Sequence, residues 1–229
     1  MITLSSRLLA AAGLIKGGGR AADIGTDHAY LPVYLISSGK IKEALACDIG
    51  EGPLNNAKKT VLQFSLEDKI ELRLSNGLKS ISPDEADEII ICGMGGELIT
   101  QILSDCEWIK NSRYNFVLQP MTHAEDVRRF LCENGFVIEK EICVSEGKRV
   151  YLTLNAVWKN IENSFEEGYY YFGSLLNSSD PAAKMYAEKQ YLRILKRADA
   201  LKNAGRDKQE EEKLRSVLNY FSRKKEKTN

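Results

Sequence analysis

The sequence changes its hydrophobic period partway along, and that change limits the folds open to it. Short apolar runs rich in Ile, Val, Leu and Ala occupy 21–24, 43–49, 70–75, 88–92 and 114–118. Helix-like segments at 31–38, 53–65, 97–103 and 124–134 separate them. The run Ile89-Ile90-Ile91-Cys92 is nearly all apolar, as a strand covered on both faces should be. Pro32 and Pro53 suit first helical turns, where a missing N–H costs nothing. Such alternation implies right-handed crossovers and a parallel sheet with helices on both faces. It then stops. The runs 136–144 and 149–158 are joined only by Ser145-Glu146-Gly147-Lys148, too short for a parallel crossover. They are expected to form an antiparallel hairpin at the sheet edge.

Beyond this unit, 159–180 reads as a polar, irregular linker holding the aromatic cluster Tyr169-Tyr170-Tyr171-Phe172, expected to pack between two parts of the chain. A helix should start at Pro181 with Asp180 as its N-cap. Ala187, Tyr191, Ile194, Ala198 and Leu201 follow at heptad steps. Asn203-Ala204-Gly205 breaks the pattern, Asp207 and Glu210 form a candidate capping box, and Leu214, Val217, Leu218 and Phe221 continue the stripe. The 229 residues therefore divide into a domain at 1–158, a linker at 159–180 and a coiled-coil-like helical hairpin at 181–229.

The formal net charge of zero hides an asymmetry. Residues 1–180 carry 18 basic and 25 acidic side chains, a net −7, whereas 181–229 carry 14 and 7, a net +7. Neutrality thus does not exclude a nucleic-acid partner. The basic arm either solvates a helical hairpin or makes salt-dependent phosphate contacts. Hydrophobic content of 43% with 28% charged residues is globular. No apolar run reaches membrane-spanning length. The N-terminal stretch, interrupted by Arg7, reads as an amphipathic helix rather than a signal peptide. Five cysteines without C-x-x-C spacing and only two histidines do not compose a zinc site. They read as buried free thiols of a reducing compartment, which sets a cytoplasmic expectation.

Ligands of open α/β sheets bind at the carboxyl ends of the strands. Five segments stand there. Asp23-Ile24-Gly25-Thr26-Asp27-His28 follows the first run, and its single glycine departs from the pyrophosphate-binding G-x-G-x-x-G pattern. Asp48, followed by Ile49, ends the second run about 20 residues on, where a carboxylate can accept both hydroxyls of a ribose. Ser75-Asn76-Gly77 can reach an adenine edge or simply turn. Gly93-Met94-Gly95-Gly96 leaves backbone open to a flat ligand, and the Asn/Asp-Pro-Pro-aromatic motif of exocyclic-amine methylation is absent there. Gln119-Pro120 closes the fifth run; an amide can both donate to and accept from a base edge, or sit in a turn. His28 and His123 are the candidate general bases.

Together ADIGTDHAYLP, the acidic residue followed by Gly52-Pro53-Leu54-Asn55 and Ala57, GMGG, LQP and Glu146-Gly147-Lys148 resemble the bacterial tRNA (adenine-N1)-methyltransferase family acting on adenine 22, the TrmK family. The resemblance covers residues 3–158, and the helical hairpin also looks like that family's appendage. It implies a class I methyltransferase-like, Rossmann-like doubly wound α/β sheet with an antiparallel last strand. It also implies S-adenosyl-L-methionine as cofactor and tRNA as substrate. By resemblance, Asp23, Gly25 and Thr26 hold the methionine part, Asp48 the ribose, Asn76 and Gly77 the adenine, and Gly93 and Met94 the floor beneath the sulfonium. His28 and Ile49 complete the cofactor-binding set, and Gln119 and Pro120 contact substrate. Asn76 stands where the family usually shows Asp, which implies weakened rather than lost adenine recognition.

Adenine N1 is already an unprotonated lone pair at neutral pH and needs alignment more than a base. Asp27 is therefore the expected catalytic residue, stabilising the cation that develops on the base, with His28 the alternative. Two other readings stay open from the residues alone: a small-molecule methyltransferase on the same fold, and a non-enzymatic RNA-binding scaffold with a degenerate pocket.

Overall fold

The computed structural model describes residues 2–226. Its first element is helix α1 (Ser6–Leu14), followed by β1 (Arg20–Ile24), α2 (Tyr30–Ser37), β2 (Glu43–Asp48), α3 (Glu51–Gln63) and β3 (Ile70–Leu74). Then come β4 (Glu88–Gly95), α4 (Gly96–Ser104), β5 (Asn115–Thr122), α5 (Ala124–Glu133), β6 (Phe136–Glu146) and β7 (Arg149–Trp158). The chain ends in α6 (Glu167–Phe172), α7 (Pro181–Ala204) and α8 (Lys208–Glu226). Among the described residues no helix is long and apolar enough to cross a membrane.

The seven strands form one sheet in the order β3-β2-β1-β4-β5-β7-β6. Strands β1 to β5 are parallel, with Ile24 opposite both Cys47 and Ile91. β7 is antiparallel to both its neighbours. The expected hairpin forms at the sheet edge, with its second strand lying inside, against β5. Leu152, Leu154 and Ala156 are fully buried, and β6 takes the rim. A buried polar chain helps set this register: Asn155 Nδ2 donates to Asn115 Oδ1 at 2.7 Å and to Phe116 O at 3.1 Å.

Strand alternation divides the core between two faces. Ile89, Ile91, Phe116 and Leu118 meet Ile99, Leu103, Val127 and Leu131 of α4 and α5. Ile90, Val117, Ala44 and Ala46 meet Ala11, Leu35 and Val61 of α1, α2 and α3. Each fully buried Ile, Leu or Val is worth about 1.5–3 kcal/mol. The four-residue Ile-Ile-Ile-Cys run thus anchors both layers at once.

A third core joins Tyr171 and Phe172 of α6 to Ala187, Ile194 and Ala198 of α7 and Leu214, Val217, Leu218 and Phe221 of α8. The segment read as irregular therefore contains a helix, because its aromatic cluster has two surfaces to fill. Asp180 caps α7 as expected, accepting from the Ala182 and Ala183 N–H groups at 2.8 and 2.9 Å. Only half of the expected capping box forms. Asp207 accepts from Glu210 N at 3.0 Å, but the Glu210 carboxylate pairs with Arg197 across the hairpin.

A buried ion pair within the sheet unit, between α5 and β6, fastens the linker segment on which the hairpin packs. Arg128 Nε donates to Glu141 Oε1 at 2.6 Å, and both side chains are almost wholly buried. Arg128 Nη1 also donates to the carbonyls of Tyr170 and Tyr171, while Glu141 Oε2 accepts from Ser174 N and Oγ.

Candidate active site

At the end of β1 the chain must turn over the end of β2. The N–H groups of Gly25 and Thr26 both donate to Cys47 O, at 2.8 and 2.9 Å. The turn places Gly25 at φ +81°, the left-handed region that glycine enters without strain. A Cβ at Gly25 would also collide with the end of the Met94 side chain. The turn opens a cavity of about 160 Å³ lined by Arg7, Asp23, Gly25, Thr26, Asp27 and His28 among others.

Asp23 is the buried charge of this cavity. Burial pushes its carboxyl up to about 6, the Thr26 side chain counteracts the rise, and the Asp48 charge adds to it. Thr26 Oγ1 is buried without a hydrogen-bond partner of good geometry. A buried polar group in that state is stabilised by any donor or acceptor that enters the cavity. Asp27 is exposed, with its Oδ2 3.4 Å from His28 Nε2, and His28 stacks on Tyr30 at 4.9 Å. Burial pushes the Cys47 thiol up to about 12 and the Cys92 thiol up as well, so both remain protonated and unreactive at neutral pH.

The remaining strand ends form a shelf beside the cavity. Asp48 Oδ1 accepts from Gly50 N at 2.8 Å, and Asp48 O accepts from Ser75 N at 2.8 Å. Ser75 Oγ in turn donates to Gly77 O, so β2 and β3 end in register. Ile49 is 69% exposed, and Asn76 is exposed too. Asn76 lines a separate depression with Leu98, Ile102 and Trp108. Gly93, at φ +82°, is exposed beside Met94.

The residues expected to contact substrate separate. Gln119 is fully buried, and its amide is saturated: Oε1 accepts from Arg7 Nη1 at 2.9 Å, while Nε2 donates to Arg7 O and Thr153 Oγ1. Pro120 lines a different cleft, between the β5 end and α7. By sequence Arg7 is only a break in an apolar stretch. In the structure its guanidinium lies over Gly93, 3.6 Å from where a Cβ would stand, at the same cavity as Asp23. Its backbone N–H donates to Glu146 Oε1 at 2.8 Å. The lone cation on an otherwise apolar helix was the available signal.

One cavity thus offers a buried carboxylate, a guanidinium and a hydroxyl without a partner. An adjoining shelf offers a second carboxylate and an open apolar surface. This set complements a ligand with an ammonium and a carboxylate at one end and a sugar and flat base at the other.

Comparisons with known proteins agree with this geometry. A model described as a methyltransferase domain matches residues 4–154. A Bacillus subtilis protein, tRNA (adenine(22)-N(1))-methyltransferase, is 37% identical over 155 residues, which are 68% of this chain and 65% of that relative's length. The crystal structure of the B. subtilis m1A22 tRNA methyltransferase TrmK superposes with a TM-score of 0.84 at 28% identity, covering 100% of both chains. M. capricolum TrmK, solved with the natural cofactor product S-adenosyl-homocysteine, superposes with a TM-score of 0.80 at 29% identity, covering 96% of this chain and 99% of that one.

Proposed function

The chain belongs to the methyltransferase-domain family, and on that premise we propose that it methylates N1 of the adenine at position 22 of tRNA, with S-adenosylmethionine as methyl donor. The observation that carries this reading is the cavity in which Asp23, Arg7 and the unpartnered Thr26 hydroxyl meet at the strand ends. The relatives named for this reaction on adenine 22 supply the substrate class.

When bound, S-adenosylmethionine supplies an electrophilic methyl group on a sulfonium. Asp23 would face its ammonium and Arg7 its carboxylate, because opposite charges attract more strongly where burial limits water, as it does at Asp23. Thr26 and the Gly25 turn complete that end. Asp48, with Ile49, would hold the ribose on the open shelf, and Asn76 with Gly77 the adenine edge. Met94, backed by Gly93, forms the floor. His28, stacked on Tyr30, borders the entrance.

Adenine N1 attacks through its own lone pair, so the protein must align it rather than deprotonate it first. Asp27, exposed at the cavity mouth, would stabilise the positive charge that appears on the base. N1 lies on the Watson–Crick edge, so the target base must be unpaired or flipped outward. The unit at 1–158 would perform the chemistry and the hairpin at 181–229 would help hold RNA. Many of the arm's cations are already engaged: Arg193 with Glu125, Arg197 with Glu210, Arg215 with Asp199 and Arg223 with Glu166. Lys184, Lys196, Lys202 and Arg206 stand exposed and are better suited to phosphates.

The test offers labelled S-adenosylmethionine and tRNA transcripts bearing adenine or guanine at position 22. Label is expected only in the adenine transcript. Equal labelling of both would remove the site assignment, and labelling of neither would remove the tRNA reading.

A further inference from the structure

A second concavity stands beside the active-site cavity, and the reading above does not use it. It is a cleft of about 470 Å³ between the end of β5, the β6–β7 turn and α7. Its apolar wall includes Pro120, Met121 and Tyr151, with Met121 45% exposed. Its rim carries four cations: Lys148 and Arg149 from the turn, and Lys189 and Arg193 from α7. Arg193 is partnered by Glu125 at 3.1 Å, and Lys189 donates to the Lys148 carbonyl. Lys148 and Arg149 are exposed and have no carboxylate partner among the described residues.

Two connections tie this cleft to the site. In the sheet Pro120 is paired with Met94, the floor residue, and β4 lies beside β1. Two strand spacings of about 4.8 Å put the β5 wall of the cleft roughly 10 Å from β1, which leads into the Gly25 turn. The hairpin that presents Lys148 and Arg149 also carries Glu146, which holds the Arg7 backbone over the cofactor cavity.

We propose that this cleft seats the RNA strand immediately next to the target adenine. Lys148 and Arg149 would contact its phosphates, and a neighbouring base would lie on the Met121–Tyr151 wall. The inference rests on the tRNA reading above and deepens it. Unpaired cations beside an exposed apolar wall match a single-stranded nucleotide, which offers an anion and a flat face together. The position also gives the arm a defined task. Without α7 the cleft loses the wall that carries Tyr186, Lys189 and Arg193, so the two units must be docked for it to be complete.

The experiment compares Lys148→Ala/Arg149→Ala with Lys58→Ala/Lys59→Ala in the full chain. The second variant removes the same charge from exposed residues of α3. Affinity for an adenine-22 tRNA transcript is measured from low to moderate salt, and S-adenosylmethionine affinity by calorimetry. The cleft variant should lose roughly tenfold or more in tRNA affinity. Its log–log salt slope should become shallower by about 1–2, as expected for one or two lost phosphate contacts. Cofactor affinity should stay within twofold, which also reports that the variant is folded. Equal losses in the two variants, or an unchanged salt slope in the cleft variant, would overturn the proposal. If the wild-type protein binds no tRNA, the underlying reading fails first, and that result is seen without any variant.

Discussion

Arg7 Nη1 lies 2.9 Å from Gln119 Oε1, and Gln119 Nε2 returns a bond to the Arg7 carbonyl at 3.1 Å. This reciprocal pair clips the first helix onto the end of the fifth strand. A residue that the motif pattern marks for substrate is buried here and holds Arg7, whose side chain lines the Asp23 cavity.

Gln119→Leu should therefore disturb cofactor binding before it disturbs catalysis. Losing a buried partner of three polar groups costs about 1–3 kcal/mol in stability. The dissociation constant for S-adenosylmethionine should rise several-fold, and a melting curve should show the stability loss. Unchanged cofactor affinity with a fall in turnover alone would return Gln119 to the substrate.

Asp23 gives a pH signature. Its folded-state value is about 6, above the ordinary 3.8, so between about pH 4 and 6 the folded protein holds a proton that the unfolded chain has released. Stability of the ligand-free protein should fall as pH rises through that window and level off above it, by at most about 3 kcal/mol. Affinity for the ammonium-bearing cofactor should rise over the same window. Asp23→Asn should flatten the stability profile and abolish tight cofactor binding, as read by thermal melts and calorimetry from pH 4 to 8.

Gly25→Ala separates fold from site. The residue sits at φ +81°, and the added carbon would displace the Met94 side chain. The backbone strain should cost about 1–3 kcal/mol. Because the Met94 side chain is flexible, the protein should still fold, while cofactor affinity falls at least tenfold.

Asp27→Ala should retain cofactor affinity within about twofold and lose turnover by roughly 10² or more, the range seen when one charge-stabilising group is removed. Collapse of cofactor binding instead would make Asp27 a cofactor ligand.

Arg128→Met tests how the linker beneath the arm is held. It leaves Glu141 buried without its partner, a change that typically costs 3–5 kcal/mol. Limited proteolysis should then cut near 159–180 well before the sheet unit is attacked.

Much of this molecule is legible in the linear order. The apolar runs at 21–24 through 114–118 mark real strands, and those of β1, β2, β4 and β5 are nearly uninterrupted because strands buried on both faces need continuous apolar side chains. Asp180-Pro181 announces a helix start because capping is a local bond between neighbours. Asp23, Gly25, Thr26, Asp27 and His28 come to one cavity because five residues in one turn have nowhere else to go.

Other features depend on groups far apart in the chain. Local pattern cannot say whether β7 lies outside or inside β6, because both arrangements hide the same alternating face; the Asn155–Asn115 bond and the burial of Leu152 and Leu154 decide it. The role of Gln119 was illegible because its partners, Arg7 and Thr153, lie 112 and 34 residues away. Arg7 carries no motif, and only the packing of α1 against the sheet gives its charge a target. The basic arm shows the same division. Its +7 is a property of composition, but which cations remain available depends on the carboxylates that folding brings within reach. Local bonds and periodicity can be read along a chain, whereas pairings across a hundred residues exist only once the sheet has closed.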